Sequence, residues 1–198
     1  MAVFIVLFVL SFVVAGVHIY RDKQPRTGKR IAEILLLWLL IINTGLGGLY
    51  AFMGHTFAAN EVAESIGWPT GNPFQTEVAV ANLAIATLGI LSYWIRGNFW
   101  TAAVIATSVW LLGAAVIHVS EMVGAGNYNP GNAGVVFYMD IIGPLFLMVL
   151  LAYSRYAGRE RAGLSGGGRI RRTTPVACSY RGRGMKTGLS TQARGVNL

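Results

Sequence analysis

Four ionisable residues stand out by where they fall: Glu77, His118, Glu121 and Asp140 lie in, or at the edge of, long apolar stretches. A charged group at mid-membrane costs about 2.5–3.5 kcal/mol on insertion scales, so each needs a partner or a task. Three carboxylates and one imidazole make a donor set suited to iron, manganese or zinc. His118 and Glu121 stand at i and i+3, on one side of a helix. Carboxylate-bridged metal sites in helical bundles use that spacing in the opposite order, Glu-x-x-His, and in pairs; a second pair is missing here. The same groups could instead pass protons along a path, or join helices by polar contacts. The sequence leaves all three open.

Positioning falls to five apolar runs, residues 2–20, 31–53, 74–95, 99–119 and 134–153. Each is close to the ~20 residues that cross a ~30 Å hydrocarbon core at 1.5 Å per residue. Backbone amides in lipid have no water to bond, so the runs are expected as helices. The chain is 54% hydrophobic and 12% charged, half the charge of a soluble domain, and the expected fold is an all-α, polytopic transmembrane bundle. The first run has only the amino terminus as positive charge before it, which argues for a retained helix over a signal peptide.

Charge sets the expected orientation. Five of the 16 Lys and Arg residues lie in Arg21–Arg30, one is Arg96, and ten follow from Arg155 onward. With the N-terminus outside and the C-terminus in the cytoplasm, every one of them is cytoplasmic, as the positive-inside rule asks. The basic balance therefore reads as orientation, and nucleic acid is not expected as a partner, since no face mixes basic and aromatic residues. Residues 1–157 form the expected bundle, and residues 158–198 a basic, disordered tail that attracts anionic lipid. Cys178 is the lone thiol, so no disulfide or cysteine metal site forms within one chain.

Counting inward from the loops at the outer side, Glu77, His118 and Asp140 come to within roughly 5–9 Å of one interface. Glu77 shares a stripe with Ala81 and Ala84, His118 with Ala114 and Ala115, and Asp140 with Gly143 and Pro144. Small residues mark close helix approach, so all three are expected to face the bundle interior. Asn43 is expected to bond between helices, His18 to pair with Glu33, and His55 either to stay solvated or to complete a metal site. Gly45-Leu46-Gly47-Gly48 reads as a packing notch, and the turn-forming Asn127–Ala133 link makes helices four and five a hairpin.

The stretches Phe74–Leu83 running on to Leu88-Gly89-Ile90-Leu91, and Asn127–Gly134 followed by Asp140 and Pro144 with His118 upstream, resemble an uncharacterised family of small bacterial and archaeal multi-spanning membrane proteins. The resemblance covers about Trp68 to Tyr153 and implies a membrane location with no assigned activity. A looser pattern, an acidic residue opening a Gly- and Ala-rich helix before a short Arg-containing turn, is similar to DoxX-like four-helix membrane proteins. No phosphate-cradling loop, nucleophile elbow or c-type haem attachment pair is present, and no enzyme class follows. The expectation is a multi-pass protein of the cytoplasmic membrane that binds a metal or redox cofactor at its outer polar cluster. The alternatives are an accessory subunit packed on a membrane-protein partner or on its own copies, and a small proton or solute carrier.

Overall fold

The computed structural model describes the backbone of residues 2–166 and the side chains of residues 2–157; most of the expected tail lies outside the described residues. All described elements are helical, and five helices are long and apolar enough to cross a membrane. They are α1 (Ala2–Arg21), α2 (Gly28–Phe57), α4 (Phe74–Leu91), α5 (Asn98–Ala125) and a last span, Pro130–Ala157, made of α6 (Pro130–Ala133) and the start of α7 (Val135–Gly166). A short helix, α3 (Ala59–Ile66), lies in the first long loop.

The ends differ from the apolar runs where local chemistry extends or stops a helix. α2 begins three residues before its apolar run because Thr27 caps it: its hydroxyl accepts from the Arg30 N–H at 3.3 Å. Lys29 and Glu33 then pair along the helix at 3.7 Å. Glu33 is therefore taken by Lys29, and His18 bonds the Trp38 indole N–H at 2.9 Å, which corrects the expected His18–Glu33 pair. α4 stops at Leu91, four residues short of its run, and the Trp100 indole donates to the freed Ser92 carbonyl at 2.8 Å. α7 runs on to Gly166, well past residue 153.

α2 is the centre of the bundle. In its span 56% of the most apolar window is buried, against 11% in α1, which leaves Val6, Val9 and Val13 exposed as a lipid-facing helix would. The first half of α2 packs on α1 and α7, and its second half on α4. Leu36, Leu37, Leu39 and Leu40 of α2 meet Trp100, Ala103 and Val104 of α5 and Leu147 of α7 in the main apolar core, on the side of the basic turns. Midway, Leu39–Leu46 winds as a π-helix, the wider form that often marks functional positions. It lies where α2 and α4 come closest: a Cβ on Gly89 would sit 2.7 Å from the Gly45 Cα. Gly48 packs on Asn82 and Ala86 one turn further on. The Gly45–Gly48 notch is the contact surface for α4.

Candidate functional site

The buried stripe of α4 is Gln75, Ala79, Asn82, Ala86 and Gly89, the face that docks on the glycines of α2. Glu77 lies off that stripe and is exposed. It is not brought to the other three, and the shared stripe of Glu77, Ala81 and Ala84 is not the interior face. Gln75 takes the inward place, where its Oε1 meets His55 Nδ1 at 2.5 Å and ties α4 to α2. Asn82 accepts the Trp110 indole N–H at 3.3 Å and ties α4 to α5. The π segment brings Asn43 against α7, its Nδ2 3.4 Å from where a Gly143 Cβ would stand.

The polar centre is built on α5 and α7. His118 Nε2 lies 3.6 Å from Asp140 Oδ2, and both side chains are about nine-tenths buried. The other ring nitrogen, Nδ1, is 2.7 Å from Asn132 Oδ1. Asn132, fully buried on α6, donates its amide N–H groups to the Asn127 carbonyl at 2.7 Å and the His118 carbonyl at 3.3 Å. Two carbonyl acceptors fix which end of that amide is NH₂, so the Asn132 oxygen must point at the imidazole. Nδ1 then carries a hydrogen and donates it. In a neutral imidazole this leaves Nε2 as a lone pair on the side of the Asp140 carboxyl, 3.6 Å away. A proton on either group, Nε2 or the carboxyl, would have the other as its nearest acceptor. The edge of Phe137 closes the ring on one side, with centroids 6.3 Å apart.

Local structure explains why Asn132 can do this. Gly126 ends α5 in the left-handed conformation, φ 64°, and the chain turns back through Asn127 to Pro130, which opens α6. Asn127 also donates to the Ile66 carbonyl at 2.8 Å, and Gly131 meets Ser65 so closely that a Cβ there would be 2.6 Å from its carbonyl oxygen. The two loops on this side are thus locked together over the His118–Asp140 pair. Sequence reading took the asparagines as turn formers. The signal for more was an amide returning to the helix that carries His118, and it becomes legible only when the hairpin is closed.

Glu121 sits one turn beyond His118, half-buried on the same helix. Among the described residues no three His, Cys, Asp or Glu side chains converge as metal ligands do. Of the four residues singled out by sequence, His118 and Asp140 form a pair, Glu121 lies beside it, and Glu77 stands apart. The model of a family of unknown function, DUF6790, matches residues 1–160, which takes in all five spans and the polar centre. The chain belongs to the DUF6790 family. No curated protein and no solved structure matches the chain. The DUF6790 match carries no activity with it, so function rests on the site.

Proposed function

We propose that this chain is an integral protein of the cytoplasmic membrane, with its basic turns inside and its Asn-rich hairpin outside. In this reading it takes up and releases a proton at the His118–Asp140 pair as part of a small proton-linked carrier. The observation that carries the reading is the Asn132 amide, which holds the imidazole with its Nε2 on the Asp140 side, 3.6 Å from the carboxyl, in a buried place. Ionisable groups inside spans are rare and mark proton relays and substrate paths. Other polar groups in the bundle interior support it. Asn43 faces α7 at Gly143, one turn below Asp140. Thr44 of the π segment and Thr107 of α5 are buried with hydroxyls that have no partner among the described residues.

The test is proton uptake into vesicles that hold the purified chain and a trapped pH-sensitive dye, driven by an imposed pH step. The native chain should acidify the interior faster than empty vesicles, and Asp140→Asn should fall to the empty-vesicle rate. Equal rates for Asp140→Asn and the native chain would overturn the reading. A metal-binding reading draws on Glu121, whose position at i+3 could let it join His118 and Asp140 around iron, manganese or zinc; Glu77 has no place in it. Stoichiometric metal in the purified chain, lost in His118→Ala, would favour that reading over the proton one.

A further inference from the structure

A groove of about 580 Å³ runs between α5 and α7 on the side of the bundle away from the hairpin. Its walls are Ile105, Val109 and Leu112 of α5 and Met148 and Leu151 of α7, and its area is almost wholly apolar. Ser108, a small side chain in the same wall, opens the hollow. From Thr101 to Leu112 the groove descends eleven residues, about 17 Å at the helical rise, or roughly the depth of one leaflet of a ~30 Å core. A groove that stops at the bilayer middle has the length of a lipid tail.

The mouth is positive. Arg155 stands over it, exposed, with one guanidinium nitrogen bonded to the Gly97 carbonyl at 2.6 Å and to the Thr101 hydroxyl at 3.1 Å. Those bonds hold the guanidinium beside the start of α5, whose first N–H groups have no side-chain cap. Arg96 lies over the Trp100 ring at 5.5 Å next to it. Among the described residues neither arginine forms a salt bridge. Guanidinium groups and uncapped helix N–H groups are the donors that a phosphate takes.

We infer that the α5–α7 groove holds one acyl chain of an anionic phospholipid, with the phosphate at Arg155, Arg96 and the start of α5. The site is fixed in place and distinct from diffuse attraction to a basic surface, which any charge near the headgroups supplies at about 1 kcal/mol.

The experiment is native mass spectrometry of the full chain, titrated in detergent with phosphatidylglycerol or phosphatidylcholine of the same tails. One phosphatidylglycerol should stay bound at concentrations where phosphatidylcholine does not. Arg155→Gln should weaken retention about tenfold, and Ile105→Trp, which fills the groove at an exposed position and keeps the charges, should weaken it equally. Lys23→Gln, a basic residue off the groove, should change it less than twofold. Equal retention of the two lipids would overturn the inference, as would an unaffected Ile105→Trp variant or a Lys23→Gln effect as large as that of Arg155→Gln. A dimer that forms in place of lipid uptake and is broken by Ile105→Trp would overturn it too, by showing that a second copy fills the groove.

Discussion

Replacing Gly89 by alanine tests the crossing that places the whole polar half of the bundle. The added Cβ would lie 2.5 Å from both the Gly45 nitrogen and the Leu40 carbonyl oxygen, while ordinary van der Waals contact begins at 3.4 Å. α2 and α4 must therefore move apart by about 0.9 Å, and since the neighbours are backbone, no side chain can turn aside. Overpacking of this kind costs about 1–3 kcal/mol, and the upper part of that range fits contacts made with backbone. Alanine returns about 0.5–1 kcal/mol through helix preference, so the net loss is about 2 kcal/mol. Gly48→Ala meets Asn82 and Ala86 at 3.0–3.2 Å and needs a shift of a few tenths of an ångström, which leaves it near neutral. Gly113→Ala, with nothing within 4 Å, should be neutral or mildly stabilising. Unfolding in mixed micelles, followed by helical circular dichroism, should rank the variants Gly89→Ala, Gly48→Ala, Gly113→Ala from least to most stable. A Gly89→Ala variant within about 0.5 kcal/mol of Gly113→Ala would refute the close crossing.

At the basic end, the Arg30 guanidinium bonded at 2.7 Å, helped by the Gln24 N–H, holds the Asp22 carboxyl below its ordinary 3.8. A depressed native value means that the contact contributes in full above pH 3.8 and is lost as pH falls through the lower native value. Melting curves against pH should therefore fall less steeply on the acid side in Asp22→Asn than in the native chain; parallel acid limbs would show that the pair is idle. Orientation is open to a direct reading: an alkaline phosphatase fused after Asn127 should be active and one fused after Arg169 silent, and activity at the second site would reverse the assignment.

The positions of the five spans were legible because spanning length is a one-dimensional property: ~20 apolar residues must be consecutive. His118 and Asp140 were legible as well, since a charge in an apolar run is conspicuous without any knowledge of its neighbours. The face of α4 was not. Helices in lipid are apolar on their outer side as well as their inner one, so no alternation separates the two, and the stripe through Glu77 was as plausible as the stripe through Gln75 and Asn82. Helix docking decided it, when Gly89 met Gly45 and turned Glu77 outward. The His18–Glu33 pairing failed for a similar reason: Lys29 one turn before Glu33 is the nearer partner, and Trp38 reaches His18 from across the α1–α2 contact. Asn132 shows the division best. Its sequence context determines a turn, because Asn-Pro-Gly-Asn is turn chemistry, but its bond to the imidazole is made between groups 14 residues apart. Only the closed hairpin, held to α3 through Asn127 and Gly131, turns a loop amide into the group that orients a buried imidazole toward Asp140.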